Sequence, residues 1–254
     1  MPFSDYKTAL VTGASSGIGA AVVERLRREN IEVHALARSA KALAELSERT
    51  GCIAHVLDVT DLKGVTALTQ QVAFDILVNN AGVDRPASFL KAEAEDIDLL
   101  IDVNLRAVLH LCRLVVPGMV ARDRGHVINI SSIAAAYNFN GNSTYHATKA
   151  AVSMLSRQLR IDAFGRRLRV TEICPGRIAT DIFAHVHGDS PDTYERFIEG
   201  YELPQATDVA DAIAFAIAAP VAVNIGHLEI TPTFQVPGGL STAKPAAPAG
   251  IPTS

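Results

Sequence analysis

Short apolar segments rich in valine, isoleucine and leucine alternate along this chain with longer segments whose apolar residues recur at helical spacing. Short apolar runs are typical of strands buried on both faces, and the longer period is typical of helices that pack on them. The pattern predicts seven strands, over residues 8–12, 32–37, 53–58, 76–79, 126–130, 169–173 and 227–230. It predicts helices between them, over residues 17–30, 41–50, 62–72, 97–121, 144–164 and 208–219. This alternation favours an α/β fold, a doubly wound parallel sheet with helices on both faces.

The same pattern continues without a linker, a repeat or a low-complexity block, which predicts a single domain over residues 1–236. Residues 237–254 differ, because they consist mostly of proline, alanine, glycine, serine and threonine. Such a composition favours disorder. The alternative for this C-terminal tail is that it packs on a neighbouring subunit.

Composition and charge narrow the class of protein. Of the 254 residues, 48% are hydrophobic and 20% are charged, which is enough for one large core. The net charge of −4 is spread without a long run of one sign, so we expect no nucleic acid and no membrane as partners. The N-terminus lacks a basic start followed by an apolar block, and we therefore expect a cytoplasmic location.

Three cysteines, Cys52, Cys112 and Cys174, are scattered among apolar neighbours. Their number and spacing fit neither a disulfide framework nor a zinc motif. We therefore expect free thiols and no metal site.

A glycine-rich turn lies between the first predicted strand and the first predicted helix. Glycines allow the backbone to turn sharply and to approach a pyrophosphate, whose charge meets the free N–H groups at the start of the helix. The spacing Gly-x-x-x-Gly-x-Gly differs from the broader dinucleotide fingerprint, but its place in the chain predicts a nucleotide site. The residues expected to bind the cofactor here are Gly13, Ser15, Ser16, Gly17, Ile18 and Gly19.

The end of the second predicted strand indicates which dinucleotide binds. An NAD-binding protein usually carries a carboxylate there for the ribose 2′-hydroxyl, but this chain has Arg38 followed by Ser39. A guanidinium can hold a 2′-phosphate by charge-assisted hydrogen bonds, with the serine hydroxyl as a second donor. We therefore expect NADP(H) rather than NAD(H).

Two further strand ends carry polar residues. Because ligands bind at the carboxyl ends of parallel strands, Asp58 and Val59 could reach the adenine. The turn of Asn80, Ala81 and Gly82 could border the cofactor in the same way. For the asparagines, a role in tying adjacent turns together is an equally open alternative.

Tyr145 and Lys149 lie four residues apart in a predicted helix, so they share one face of it. An ammonium near a phenol lowers the pKa of the phenol, which can then exchange a proton near neutral pH. Alone, this pair is a weak signal. Ser132 adds a hydroxyl at the carboxyl end of the fifth predicted strand, and strand alternation favours it over Ser131.

Together these motifs resemble the short-chain dehydrogenase/reductase family over nearly the whole chain. The matching motifs, in order, are Gly13/Gly17/Gly19, Asn79-Asn80-Ala81-Gly82, Ser132, Tyr145/Lys149 and Pro175-Gly176. The resemblance implies a Rossmann-type fold and hydride transfer between a nicotinamide and a carbonyl or alcohol carbon, without a metal. It also implies a homotetramer or homodimer formed through the two longest helices.

The same resemblance implies a role for individual residues. Tyr145 would be the proton donor or acceptor, and Ser132 would stabilise the charge on the substrate oxygen. Lys149 would bind the nicotinamide ribose and tune Tyr145, while Asn104 would hold a water that links Lys149 to solvent. A helix-kink hydrogen bond is the alternative for Asn104. The segment after the sixth strand would contact the cofactor through Pro175, Gly176, Ile178 and Thr180.

Substrate choice is expected to come from a lid over residues 177–205. The C-terminal sequence is similar to the NADP-preferring subgroup that includes 3-hydroxy acid, sulfoacetaldehyde and clavulanate-type dehydrogenases. This similarity implies a small polar, anionic carbonyl compound, which Arg177, Arg196 or Arg85 could hold. A regulatory NADP(H)-binding redox sensor and a nucleotide-sugar epimerase or dehydratase are the alternatives.

Overall fold

A parallel sheet of seven strands forms the centre of the computed structural model, which describes residues 2–180, 198–236, 239 and 241–244. Across the sheet the strand order is β3-β2-β1-β4-β5-β6-β7, and each neighbouring pair is parallel. In a sheet of this order, ligands bind where the order reverses, at the carboxyl ends of β1 and β4. The strands are β1 Thr8–Thr12, β2 Glu32–Ala37, β3 Ile53–Val56, β4 Ile76–Asn79, β5 Gly125–Ile130, β6 Leu168–Pro175 and β7 His227–Ile230.

Helices cover both faces of this sheet. They are α1 Gly17–Arg28, α2 Ala40–Thr50, α3 Leu62–Gln71, α4 Ala94–Ile101, α5 Ala107–Ala121, α6 Ser143–Asp162 and α7 Ala206–Ala218. A π-helical segment, Asp102–Arg106, joins α4 to α5. No helix in the described part of the chain is both long enough and apolar enough to cross a membrane.

Two apolar cores, one on each face, hold the layers together. Alternate residues along β1 belong to different cores, because successive side chains of a strand point to opposite faces: Val11 packs with α1, α2 and α7, whereas Leu10 packs with α3, α5 and α6. Leu10, Val11 and Leu77 are completely buried. The carboxyl end of the sheet is thereby fixed from both sides.

The predicted fold class is confirmed, and the predicted elements differ from the observed ones mainly at their ends. β3 ends at Val56, two residues earlier than predicted. Asp58 instead lies in the following turn, where its Oδ1 accepts hydrogen bonds from the backbone N–H and the hydroxyl of Thr60 at 2.8 and 2.7 Å. The helix predicted from residue 97 begins at Ala94 and contains the π-helical segment.

The described part of the C-terminal tail folds back on the residues before it. Gln235 and Thr242 form an antiparallel bridge, and the Ala243 N–H donates to the Phe234 carbonyl at 3.1 Å. The division into a domain over 1–236 and a tail over 237–254 stays a prediction, as does packing on a neighbouring subunit.

Candidate active site

The glycine turn after β1 brings two backbone segments into direct contact. A Cβ on Gly13 would lie 2.8 Å from the Ala81 Cα, and a Cβ on Gly19 would lie 2.2 Å from the Gly13 carbonyl oxygen. Gly13 also has a φ of +63°, in the left-handed region that favours glycine. A side chain is therefore excluded at Gly13 and Gly19 for steric reasons.

The start of α1 is suited to an anion. Ser16 is the N-cap residue, but its side chain makes no capping hydrogen bond to the helix. The first N–H groups of α1 are thus left for another acceptor, at the positive end of the helix dipole. Thr180 lies beside the same turn, because its Cγ2 would be 3.5 Å from a Cβ on Gly17. The turn and its surroundings fit a pyrophosphate.

Asn80 and Thr12 hold this turn against the end of β4. The Asn80 Nδ2 donates to the carbonyls of Thr12 and Gly13 at 3.0 and 3.2 Å. The Thr12 hydroxyl oxygen accepts from the backbone N–H groups of Asn80 and Ala81, both at 3.0 Å. The structure thus shows Asn80 tying the two turns together, and its contact with the cofactor stays a prediction.

Asn79 also links neighbouring elements by hydrogen bonds, deeper in the sheet. It is 2% exposed, and its Nδ2 donates to the Asn129 Oδ1 at 2.8 Å. Asn129 in turn donates to the Ser156 hydroxyl on α6 at 2.8 Å. The chain of hydrogen bonds connects β4, β5 and α6.

The residues expected to recognise a 2′-phosphate lie together at the end of β2. The Arg38 side chain is 72% exposed, and its Nη1 is 4.0 Å from the Asp58 Oδ2. The Ser39 Oγ accepts a hydrogen bond from the Ala42 N–H at 3.3 Å and so caps α2, which leaves its own proton free to donate. Exposed guanidinium, hydroxyl and helix start are donors that fit a phosphate.

Asp58 stays ionised beside Arg38. Burial raises its pKa, but the backbone and hydroxyl hydrogen bonds from Thr60 and the charge of Arg38 outweigh burial and hold the pKa below its ordinary value. Val59, the other residue predicted near the adenine, packs partly buried against the core of α3, α5 and α6.

Ser132, Tyr145 and Lys149 come together where β5 ends and α6 begins. The Ser132 side chain lies close enough to the Tyr145 phenol to lower its pKa, and the Lys149 Nζ lies 5.5 Å from the centre of the Tyr145 ring. Lys149 is 6% exposed, and its Nζ donates to the Ile130 carbonyl at 3.0 Å. Ser131 points elsewhere, since its hydroxyl donates to the Lys149 carbonyl at 3.4 Å.

Asp84 is a charged neighbour that sequence reasoning missed. Its Oδ2 accepts a hydrogen bond from the Asn142 Nδ2 at 3.0 Å, which holds the loop after β4 against the residue that precedes α6. Burial and the Asp84 charge raise the pKa of Tyr145 above its ordinary value, although the Ser132 hydrogen bond opposes this. The predicted lowering of the Tyr145 pKa is therefore wrong for this structure, because the neighbouring carboxylate and burial dominate.

The same surroundings shift the pKa of Lys149 in the opposite direction. Burial lowers its pKa to about 8, while the charge of Asp84 raises it and offsets part of that shift. A lysine with a pKa near neutrality can change its charge in the range in which an acid catalyst works.

Asn104 lies in the π-helical segment and is 1% exposed. Its Nδ2 donates to the Val83 carbonyl and its Oδ1 accepts from the Val83 N–H, both at 2.8 Å. The side chain thus fixes the backbone that carries Asp84. A Cβ on Gly82 would lie 3.4 Å from the Asn104 Oδ1 and 3.7 Å from the Lys149 Nζ, so both polar groups surround Gly82.

The segment after β6 lies over the same edge of the sheet. Pro175 ends β6, the Gly176 N–H donates to the Ile230 carbonyl at 2.8 Å, and Ile178 is 4% exposed in the core of α1 and α7. The Arg177 N–H donates to the Gln235 Oε1 at 3.1 Å, and its guanidinium lies 5.3 Å from the centre of the Tyr201 ring.

Of the other two predicted substrate residues, Arg85 lies 3.5 Å from the Asp96 carboxylate. Arg196 lies outside the described residues, as does most of the predicted lid.

Comparison with known proteins agrees with this geometry. The family model for short chain dehydrogenases matches residues 7–190. A probable NADP-dependent dehydrogenase of Haemophilus influenzae is 36% identical over 93% of this chain and 98% of its own length. An NADP-dependent 3-hydroxy acid dehydrogenase of Escherichia coli is 35% identical over 91% of this chain and 97% of its own length.

Among solved structures, the closed form of a serine dehydrogenase complexed with NADP+ superimposes with a TM-score of 0.87. It is 33% identical, and the match covers 94% of this chain and all of that one. The chain belongs to the short-chain dehydrogenase family, and the predicted class of enzyme, an oxidoreductase with a Rossmann-type fold, is confirmed.

Proposed function

We propose that this protein transfers a hydride between NADP(H) and a small 3-hydroxy acid or the corresponding carbonyl compound. The observation that carries the proposal is the convergence of Ser132, Tyr145 and Lys149 on the same edge of the sheet as the glycine turn. The nicotinamide supplies or accepts the hydride when it is bound. Both relatives are named NADP-dependent and the solved neighbour holds NADP+, which supports the cofactor; the 3-hydroxy acid dehydrogenase and the serine dehydrogenase support the substrate class.

Each residue of the catalytic centre would have its own role in the reaction. Tyr145 would give a proton to the carbonyl oxygen, or take it from the alcohol, and Ser132 would hold that oxygen through a hydrogen bond. Lys149 would supply positive charge close to Tyr145. The Tyr145 phenol is protonated at neutral pH, as proton donation in carbonyl reduction requires.

The cofactor would lie along the carboxyl ends of β1, β2 and β4. The glycine turn and the start of α1 would hold the pyrophosphate, and Arg38 with Ser39 would hold the 2′-phosphate. No carboxylate occupies the position of Arg38, which favours NADP(H) over NAD(H).

A substrate carboxylate would be held by Arg177 rather than by Arg85. Arg85 lies 3.5 Å from the Asp96 carboxylate, and Arg177 lies two residues after the end of β6, on the edge of the sheet that carries the catalytic centre. An arginine can bind a carboxylate through two parallel hydrogen bonds.

Exposed apolar residues on the two longest helices support a homotetramer or homodimer. Leu109 of α5 is 43% exposed, and Met154 and Ile161 of α6 are 59% and 66% exposed. Apolar side chains of this size on one surface favour an interface between copies. A cytoplasmic location stays a prediction from the sequence.

The test is an assay of the purified chain on a panel of 3-hydroxy acids, sulfonated aldehydes and simple ketones, with NADPH or NADP+ and with NADH or NAD+. We expect turnover on 3-hydroxy acids with the phosphorylated cofactor. Turnover that prefers NADH would contradict the role of Arg38. Tight NADPH binding without turnover on any member of the panel would favour the redox sensor instead.

A further inference from the structure

A cluster of metal-ligating side chains lies between β6 and β7, beside the catalytic centre. Glu172 pairs with His227 and Cys174 pairs with Glu229 in the register of these parallel strands. One ligand atom from each of Glu172, Cys174 and His227 lies within 4.8 Å of the other two. Ligand atoms around a tetrahedral zinc lie roughly 3.3 to 3.8 Å apart, so adjustments of about an ångström would place these three around one ion.

Among the described residues, the side chains that donate directly to the buried Glu172 carboxylate are neutral, and Arg157 reaches it only through Ser153, whose Oγ accepts from the Arg157 Nη2 at 3.3 Å. Glu172 is 2% exposed, its Oε2 accepts from the Ser153 hydroxyl at 3.1 Å, and its Oε1 accepts from the Cys174 thiol at 3.2 Å. No lysine or arginine of the described residues forms an ion pair with it. Because a buried charge is costly without a counter-charge, a cation at this place would be favoured.

We propose that Glu172, Cys174 and His227 form a binding site for a divalent zinc-like ion. Sulfur, imidazole nitrogen and carboxylate oxygen are the ligands that zinc takes in proteins, and water would fill the fourth position. On binding, the thiol proton would leave to solvent as the sulfur–metal bond forms. His227 is exposed, so it offers a path of entry from solvent.

Such an ion would connect three elements that meet at the catalytic centre. Ser153, which donates to Glu172, lies on α6 one helical turn after Lys149. The Ser131 N–H donates to the carbonyl of Ile173, the residue before Cys174, at 2.8 Å, and the Ser131 hydroxyl donates to the Lys149 carbonyl. We therefore expect zinc to stabilise the folded chain and to raise its Tm.

The sequence predicts no metal site, because the cysteines are scattered and no zinc spacing is present. The proposed site depends instead on strand register, which brings His227 opposite Glu172 although the two residues are far apart in the sequence. Local spacing carries no sign of such a pairing.

The experiment uses the full chain without a polyhistidine tag, titrated calorimetrically with Zn²⁺ and followed spectroscopically with Co²⁺. We expect one ion per chain and a cobalt–thiolate charge-transfer band. His227→Gln, Cys174→Ser and Glu172→Gln should each lower the affinity by at least about tenfold, as the loss of even an indirect contact to a metal does. The band should disappear in Cys174→Ser.

Two control variants match the chemistry of the site. Cys112→Ser removes a different buried thiol, and His55→Gln removes a histidine at the other edge of the sheet; both should keep zinc affinity and the band. His227 is exposed, so we expect His227→Gln to keep the Tm of the unaltered chain when zinc is absent. If this folded variant no longer binds zinc, the result supports the site even where the variants at the buried positions fold poorly. Absence of zinc binding in the unaltered chain would overturn the proposal. So would unchanged affinity in a folded His227→Gln variant.

Discussion

The glycine turn after β1 and the catalytic centre after β5 lie on the same edge of one sheet, but they depend on different properties of the chain. The turn depends on close backbone contact, since a Cβ on Gly19 would come within 2.2 Å of a carbonyl oxygen. The centre depends on buried ionisable side chains, whose pKa values are shifted by burial and by Asp84. Binding in the first region is thus a matter of shape, and reactivity in the second is a matter of charge.

The largest effect on activity should come from a change in the catalytic centre. Tyr145→Phe keeps the ring and removes the proton donor, so we expect kcat to fall by about 10²- to 10⁴-fold, the usual contribution of general acid catalysis. Steady-state assays on the best substrate of the panel measure this. Near-normal turnover would show that another group supplies the proton.

A change in the glycine turn should lower the affinity for NADPH instead. Gly19→Ala forces the backbone to move, and overpacking of this kind costs about 1–3 kcal/mol, or roughly 5- to 150-fold in NADPH affinity. Gly239→Ala is the matched control, because a Cβ there meets nothing within 4 Å. Equal NADPH dissociation constants for Gly19→Ala and Gly239→Ala would contradict the steric account.

Arg38 belongs to the nucleotide site, but it would bind the cofactor through its charge and not through close backbone contact. Arg38→Gln should raise the KM for NADPH by about tenfold through loss of a charge-assisted hydrogen bond, and should leave the KM for NADH nearly unchanged. Arg28→Gln, an exposed change at the far end of α1, serves as the control. A parallel rise in both constants would point to a general disturbance of the site.

The smallest effect, a shift in pH dependence, should follow from Asp84→Asn. Carbonyl reduction needs a protonated Tyr145 beside a charged Lys149, so its rate falls as pH rises through the Lys149 pKa of about 8, the lower of the two. Asp84 raises the pKa values of both Tyr145 and Lys149, so its neutralisation should move both to lower pH. We expect the falling limb of the pH–rate profile to move down by about one unit or less, given the screened charge interaction.

The amide oxygen that replaces the Asp84 carboxylate in this variant can still accept the hydrogen bond from Asn142, so the loop should keep its place. Asp98→Asn, an exposed change on α4, is the control and should leave the profile in place. A limb that moves to higher pH in Asp84→Asn would contradict the assigned charge effect.

The sequence was sufficient to predict the sheet and the residues that local motifs carry. Gly13, Gly19, Tyr145 and Lys149 are recognisable because their chemistry depends on short spacings within one turn or one helix. The ends of the elements were harder to predict, since the turn that takes Asp58 out of β3 depends on the hydroxyl of Thr60.

Contacts between distant segments were not predictable in the same way. Asp84 reaches the catalytic centre because Ala87 pairs with Asn142 and because Asn142 donates to Asp84 across a separation of 58 residues. Nothing in the residues around Asp84 signals this contact. The predicted direction of the Tyr145 pKa shift was wrong because burial, and with it this carboxylate, raises the pKa.

The most direct test of the separation between shape and charge is the NADPH dissociation constant of Tyr145→Phe, measured by fluorescence beside its turnover. We expect the dissociation constant to change by no more than about tenfold, the worth of one hydrogen bond, while turnover collapses. If NADPH binding were lost together with turnover, the nucleotide turn and the catalytic centre would not be separable, and the account would be contradicted.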